Sequence, residues 1–211
     1  MPDHTYRPLS IVKCMLILAV CLLAVSAALA QNDAVKIPDE VKPFVTKGMI
    51  PIALETGDLN ADGRKDFILV LSPIVPEGST YDAAGDGERP TIVLLRDAGG
   101  TLSVAAHNDS VAMCKNCGGV MGDPFQGVEI KGTRFTVSNY GGSNDRWAYS
   151  YTFDYSRRDR TWQLVRVEES SFQALDPKRT ERLKVYTPPK DYGLINFSDF
   201  NPDNYLKKGR R

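Results

Sequence analysis

The stretch GDLNADGRKDFILVLS, residues 57–72, joins an acidic loop to an uninterrupted apolar segment. In the loop, side chains that carry oxygen fall at alternate positions, followed by a glycine and one further carboxylate: Asp58, Asn60, Asp62, Gly63 and Asp66. This spacing matches the first part of the pattern D-x-[DN]-x-[DN]-G, in which alternate side chains turn their oxygens toward one centre and glycine takes the sharp turn. Hard cations prefer such oxygen ligands, so the loop is a candidate cation site.

Two interpretations of loop 57–66 are open. The segment NADG also makes a good polar turn without any metal. Calcium is favoured because closely spaced carboxylates repel one another unless something neutralises them. The loop differs from an EF-hand, since its twelfth position is Leu69 and cannot supply a bidentate carboxylate, so Asp66 has to complete the ligand set. Weak calcium sites fill outside the cell, and we expect the ion to act as a structural staple.

The residues around the loop predict a mainly β fold. The apolar segment DFILVLS (66–72) is typical of a strand buried on both faces, and MIPIALE (49–55) predicts the strand before the loop. Further segments with strand patterns are separated by short glycine-containing or polar connections, which favours antiparallel pairing. These segments are TIVLLRD (91–97), LSVAAHN (102–108), GVEIK (127–131), RFTVSNY (134–140), RWAYSYTFDY (146–155) and WQLVRVE (162–168).

One of these strands carries an aromatic residue at every second position, from Trp147 to Tyr155. Strict alternation places all of its aromatic rings on one face and small or polar side chains on the other. Such a row is more often part of a core than a platform that stacks on sugar or peptide. The sequence leaves both roles open and predicts a sheet with one packed face and one wet face.

The first 30 residues have the pattern of a secretory signal peptide. Arg7 and Lys13 accompany an apolar run that ends in Ala28-Leu29-Ala30, which predicts cleavage near Ala30 and a secreted or periplasmic location. A retained anchor is the alternative, but the run is short for a membrane span, and we expect none in residues 31–211. That remaining segment has a suitable length for one domain with its own core.

The charge of the chain is balanced, with 26 basic and 26 acidic side chains. This composition provides no electrostatic field for nucleic acid, so we expect no nucleic-acid partner. Near the start of the domain, residues 37–47 predict a short helix that Pro43 weakens. A short helix-like piece is expected after Asp176-Pro177, followed by an extended strap held to the sheet by its aromatic residues, which are Tyr192, Phe197, Phe200 and Tyr205.

After removal of the signal peptide, the remaining cysteines are Cys114 and Cys117, spaced C-x-x-C. In an oxidising compartment a lone close pair predicts a disulfide. The alternative, thiol–disulfide exchange, favours a first cysteine at a helix N-terminus, and Gly118 and Gly119 discourage that helix. Two thiols cannot make a four-cysteine zinc site. A structural disulfide is expected, with redox activity as the alternative.

Residues 57–71 resemble the calcium-binding segment of FG-GAP and VCBS repeats, in which a D-x-[DN]-x-D-G-x-x-D loop links two strands of a propeller blade. The resemblance implies that calcium is bound by the backbone carbonyl of Arg64 and by side-chain oxygens of Asp58, Asn60, Asp62 and Asp66. The wider chain, with CKNCGG, GDPF and FTVSNYGGS, is similar to bacterial secreted proteins described by that repeat.

The motif occurs once here, and about nine strands are too few for a closed propeller, which needs at least four blades of four strands. We therefore expect a single mainly β domain with a propeller-blade-like antiparallel sheet rather than a complete propeller.

The functional expectation is a calcium-binding, non-catalytic protein that recognises a protein or glycan at the envelope. Enzymatic signals are weak: no G-x-S-x-G motif is present, His107 is the only histidine of residues 31–211, and the neighbouring Glu168 and Glu169 point to opposite faces of a strand. The alternatives are an envelope enzyme, either an oxidoreductase using Cys114 and Cys117 or a carboxylate-dependent hydrolase, and a purely structural envelope component. The sequence does not indicate an oligomeric state.

Overall fold

The computed structural model describes residues 35–74 and 87–208, and within these ranges the chain forms two antiparallel sheets. The predicted signal peptide lies outside the described residues. In the four-stranded N-terminal sheet, the spatial order follows the chain: β1 (Met49–Gly57), β2 (Asp66–Pro73), β3 (Thr91–Arg96) and β4 (Leu102–Asn108). The five-stranded C-terminal sheet is also a meander: β5 (Phe125–Lys131), β6 (Arg134–Gly142), β7 (Asp145–Ser156), β8 (Thr161–Gln173) and β9 (Arg182–Tyr186).

The predicted mainly β, antiparallel fold is confirmed, and it is two stacked meanders rather than a propeller. Loop 57–66 joins β1 to β2, and Gly57 pairs directly with Asp66 at the mouth of this hairpin. Glycine is needed there because a Cβ atom on Gly57 would come within 2.7 Å of the side chain of Ile130 in β5. The loop therefore begins where the two sheets approach each other.

Strand β2 is buried on both faces, as its continuous apolar sequence predicts. Ile68 and Val70 point into the main core between the sheets. Phe67, Leu69 and Leu71 point to the opposite face and form a second, smaller core with residues of β3 and the N-terminal segment. Burying each of these large side chains stabilises the fold by about 1.5–3 kcal/mol.

The N-terminal segment covers that second core without forming the expected helix. Only the 3₁₀ turn Lys42–Phe44 is present, and Val41 before it is fully buried. Pro43 explains the difference, since it has no backbone N–H to donate and disfavours a helical conformation in the residue before it. The apolar side chains still reach the sheet, because Val41 and Phe44 pack against the outer face of β2.

The C-terminal sheet has the predicted division into an aromatic face and a polar face. On β7, Tyr151 and Phe153 are buried in the main core, whereas Trp147, Tyr149 and Tyr155 are partly exposed. The opposite face carries a ladder of hydroxyl pairs across β6 and β7: Thr136 to Thr152 at 2.9 Å and Ser138 to Ser150 at 3.2 Å. The row of rings is thus mainly core, with its Trp147 end less covered.

The chain after β9 crosses the main core as a strap, as predicted. Tyr192, Phe197, Phe200 and Tyr205 are all buried in it. Asn108 at the end of β4 fixes the strap by donating hydrogen bonds to the backbone carbonyls of Phe197 and Phe200. Two short helices, α1 (Pro177–Thr180) and α2 (Tyr205–Lys208), complete the fold. No helix within the described ranges is long and apolar enough to cross a membrane.

Candidate metal centre

The acidic loop brings three predicted ligands together. Each of Asp58, Asp62 and Asp66 offers a carboxylate oxygen, and these three atoms lie within 4.8 Å of one another. Asn60 joins the group because its Nδ2 donates to Oδ2 of Asp62 at 2.7 Å. Asp58, Asp62 and Asp66 therefore converge on one centre, whereas the amide oxygen of Asn60 accepts a hydrogen bond from the backbone N–H of Asp62.

The loop holds this shape through its own backbone. The two oxygens of Asp58 accept hydrogen bonds from the backbone N–H groups of Asp62, at 3.0 Å, and Gly63, at 2.9 Å. Ala61 and Gly63 adopt left-handed conformations with φ of 59° and 81°. A left-handed residue other than glycine costs about 1–2 kcal/mol, so Ala61 is strained by the curvature of the loop. The side chain of Asp58 therefore stabilises the turn of the loop through these two hydrogen bonds.

Asp66 anchors the loop to the sheet. Its carboxylate is fully buried and accepts backbone hydrogen bonds from Leu59 and from Arg96, the last residue of β3, both at 2.9 Å. Burial raises the pKa of Asp66, and these two bonds offset only part of that effect. The carboxylates of Asp62 and Asp58 raise its pKa further. A cation at this centre would relieve that repulsion.

Arg64 makes a contact that the loop pattern does not predict. Its guanidinium donates to Oδ2 of Asp62 at 2.5 Å and, through Nε, to the backbone carbonyl of Arg96 at 2.8 Å. Burial by itself would raise the pKa of Asp62, but hydrogen bonds from Asn60 and Arg64 outweigh it and lower that pKa. Arg64 thus places a positive charge on one of the three carboxylates.

The donor set fits calcium better than a transition metal. It consists of three carboxylates and one amide oxygen, and calcium favours oxygen ligands in flexible arrangements of six to eight. The predicted ligands include no imidazole or thiolate, which zinc and copper sites usually contain. Each carboxylate oxygen that accepts one backbone bond retains a second lone pair. The backbone bonds to Asp58 and Asp66 are therefore compatible with a bound ion, whereas Oδ2 of Asp62 already accepts hydrogen bonds from Asn60 and Arg64.

The second predicted site is a disulfide between Cys114 and Cys117, whose Cα atoms are 5.2 Å apart. The N–H of Cys117 bonds back to the carbonyl of Cys114, so the bridge closes a single turn. The segment that follows is the 3₁₀ turn Gly119–Met121 rather than an α-helix. The cysteines therefore lack the helix N-terminus that lowers a thiol pKa in many redox proteins.

Next to the disulfide lies a buried ion pair that the sequence did not reveal. The guanidinium of Arg89 is 1% exposed and makes two bonds to the carboxylate of Asp123, at 2.7 and 2.6 Å. Arg89 also donates to Ser72 of β2 and to the backbone carbonyl of Met113. Because Asp123 comes just before β5, this arginine connects the two sheets. No local pattern distinguishes it from a surface arginine.

The other candidate residues, Glu168, Glu169 and His107, each contact a different partner. Glu169 accepts a hydrogen bond from the hydroxyl of Tyr205, whereas Glu168 pairs with Arg166 on the opposite face of β8, as expected for adjacent residues in a strand. The side chain of His107 is 61% exposed and lies 3.7 Å from a carboxylate oxygen of Asp109.

Comparisons with known proteins leave the family of this chain open. No protein-family model matches the sequence, and no curated protein matches it. Among solved structures, the chain is similar to a Xanthomonas type IV secretion system related protein, with 17% sequence identity and a TM-score of 0.36. The alignment covers 69% of this chain and 57% of that protein, so the chain spans little more than half the length of its structural neighbour.

Proposed function

We propose that this protein is a secreted or periplasmic recognition protein without catalytic activity, and that calcium bound in loop 57–66 acts as its structural staple. The observation that carries the metal assignment is the convergence of Asp58, Asp62 and Asp66 to within 4.8 Å. Like charges this close destabilise the fold unless a cation neutralises them. Arg64 compensates one of the three carboxylates, and the buried Asp66 has no such partner among the ion pairs of the described residues.

The position of the loop supports a structural role for calcium. Asp66 starts β2 and bonds to the backbone at the end of β3, so an ion on this carboxylate would link the β1–β2 hairpin to the next strand. Under this proposal Asp58, Asn60 and Asp62 supply the other side-chain oxygens, with the carbonyl of Arg64. Calcium then stabilises the end of the N-terminal sheet nearest to β5.

The proposed location depends on two features of the chain. The Cys114–Cys117 disulfide fits an extracytoplasmic, oxidising compartment. The apolar run before Ala30 supports export through a cleaved signal peptide. Calcium is abundant outside the cell, where sites with dissociation constants of about 10⁻⁴–10⁻³ M are occupied.

A recognition role is supported by the resemblance of the loop to FG-GAP and VCBS repeats, which commonly serve in binding. This support is an analogy of fold, and it does not identify the partner, which the surface residues of this protein have to recognise. The sheet architecture is suited to binding because the C-terminal sheet keeps one polar face and one edge exposed to solvent.

The test is thermal unfolding of the purified protein in calcium and in chelator. A ligand at 100 times its dissociation constant adds about 2.7 kcal/mol to the free energy of unfolding. For a domain of this size the midpoint should rise by roughly 5–10 °C. The Asp58→Asn, Asp62→Asn double variant should lose this rise, because it removes two of the three converging carboxylates.

The matched control is Glu129→Gln with Glu181→Gln, which removes two exposed carboxylates from outside the loop. This control should keep the full response to calcium. Equal midpoints of the wild type in calcium and in chelator would show that the loop is only a polar turn. A calcium response that survives in the loop variant would place the ion elsewhere.

A further inference from the structure

Strand β9 leaves one edge of the C-terminal sheet open. It is the last strand in the order of that sheet, and no other described strand pairs with its second edge. Four of its five residues are exposed, all except Tyr186. Along an unpaired edge, alternate backbone N–H and C=O groups face solvent and can accept another strand. Many proteins bind extended peptides in this way.

The two faces of β9 differ in chemistry. Leu183 and Val185 are 62% and 40% exposed, and they lie opposite Ser170 and Glu168 on the polar face of the sheet. Arg182 and Lys184 alternate with them and therefore project from the other face. An added strand would meet apolar side chains on one face and two cations on the other.

The cations of β9 have no carboxylate partner among the described residues. Lys184 lies directly opposite Glu169 in the register, but Glu169 instead accepts the hydrogen bond of the Tyr205 hydroxyl at 2.5 Å. Arg182 donates, through Nη1, to the backbone carbonyls of Arg179 and Glu181. Within the described part of the chain, neither cation therefore forms an ion pair, although the carboxylate of Glu169 lines the same cavity as both.

Two adjoining cavities lie beside the cationic face of β9. One, of about 190 Å³, is lined by Tyr149, Glu169, Lys184 and Arg182 among others. The second, of about 410 Å³, is again lined by Arg182, together with Arg146. Nη1 of Arg146 is buried and has no hydrogen-bond partner among the described residues. An added strand would place side chains on the same face of the sheet as these cavities, which are bordered by Arg146, Arg182 and Lys184 and also by the carboxylates of Asp145 and Glu169.

We propose that β9 binds an extended segment of a protein partner by strand addition, and that this segment alternates acidic and apolar residues. The acidic residues face Arg182 and Lys184, and the apolar residues face Leu183 and Val185. This proposal names the partner class of the recognition role above and rests on that role.

Charge and backbone chemistry favour this occupant over two others. A second copy of the chain would bring two rows of Arg182 and Lys184 together on one face, and like charges opposite each other destabilise a sheet. An acidic glycan would satisfy the cations but would leave the regularly spaced backbone groups and the apolar row without partners. A peptide strand satisfies all three.

The test uses the full protein and a fluorescein-labelled peptide of sequence SVEIEVES, with SVKIKVKS as the charge-reversed probe. Fluorescence anisotropy should show saturable binding of the acidic peptide only. The Arg182→Glu, Lys184→Glu variant should weaken binding at least about tenfold, since opposite charges become like charges. Hydrogen exchange should show slower exchange of the β9 amides, residues 182–186, in the complex, because strand addition protects them.

The matched control is Lys178→Glu with Lys190→Glu, which makes the same change in charge at exposed positions outside β9. It should bind within about threefold of the wild type and unfold at the same temperature as the β9 variant, since exposed charges contribute little to stability. Equal loss in both variants, or binding without protection of β9, would overturn strand addition in favour of general charge attraction.

Polygalacturonate and neutral dextran serve as glycan probes in calcium and in chelator. If a glycan binds and the acidic peptide does not, the β9 proposal fails while the recognition role stands. If neither peptide nor glycan binds, the strand-addition proposal is overturned and the recognition role loses its support. The calcium-dependent melting midpoint is independent of both results.

Discussion

In the N-terminal sheet, β2 is buried on both faces, whereas in the C-terminal sheet β7 packs one face and leaves the other to solvent. The difference arises from what lies outside each sheet. The N-terminal segment covers the outer face of β2 through Val41 and Phe44. On the outer face of β7, the side chains are hydroxyls such as Ser150 and Thr152, which bond to β6 and remain wet. Strand β2 therefore lies in the interior, whereas the C-terminal sheet provides a surface.

The largest expected effect tests this contrast directly. Leu69 and Ser150 both lie on the outward face of their sheets, but only Leu69 is fully buried. Leu69→Ala should lower the free energy of unfolding by about 3 kcal/mol, because it removes apolar contacts and leaves a cavity under the N-terminal segment. Ser150→Ala should change it by less than about 1 kcal/mol. Urea unfolding measures the free energy of unfolding of both variants. Equal losses would show that the outer face of β2 contributes no more to stability than the outer face of β7.

Most of this contrast could be predicted from the sequence. The continuous apolar run of residues 66–72 indicates burial on both faces, and the strict alternation of residues 147–155 indicates one packed and one wet face. Strand β9 was not predicted, because its charged and apolar residues lie in a segment rich in proline and polar residues. Its pairing depends on β8, which is a tertiary contact.

The second prediction concerns the link between the sheets. Asp123→Ala leaves the guanidinium of Arg89 buried and without its carboxylate. Breaking a fully buried pair costs about 3–5 kcal/mol, and we expect about 2 kcal/mol here because the side chain of Asp123 is 42% exposed. Arg89→Met with Asp123→Ala should recover part of this loss, since no buried charge then remains unpaired. A double variant less stable than Asp123→Ala would show that the other bonds of Arg89 matter more than this pair.

The candidate site was predictable to a different extent. The ligand positions in loop 57–66 follow from local spacing, and the structure brings Asp58, Asp62 and Asp66 together. The contact between Arg64 and Asp62 depends on the conformation of the loop. The contact between Arg89 and Asp123 joins residues that are distant in sequence. Charge alone does not indicate which arginine becomes buried, so these partners required the structure.

The smallest expected effect concerns the polar face of the C-terminal sheet, where Asp154 pairs with Arg134 and accepts a hydrogen bond from Thr133. Burial alone would raise the pKa of Asp154, but these bonds outweigh it and hold the pKa below 3.8. A carboxylate with a lowered pKa stabilises the fold above its unfolded pKa, and this contribution is lost as the pH falls through the folded value. Asp154→Asn should therefore cost less than about 1 kcal/mol at neutral pH, and the difference from wild type should shrink below pH 3.8.

Arg134→Gln should show the same pH dependence as Asp154→Asn. The double variant should add little to either single change, because both changes remove the same interaction. A difference from wild type that stays constant from neutral to acidic pH would mean that Asp154 acts through hydrogen bonding alone. The wet face would then be held together by neutral hydroxyl and amide pairs, and its contrast with the apolar outer face of β2 would become sharper.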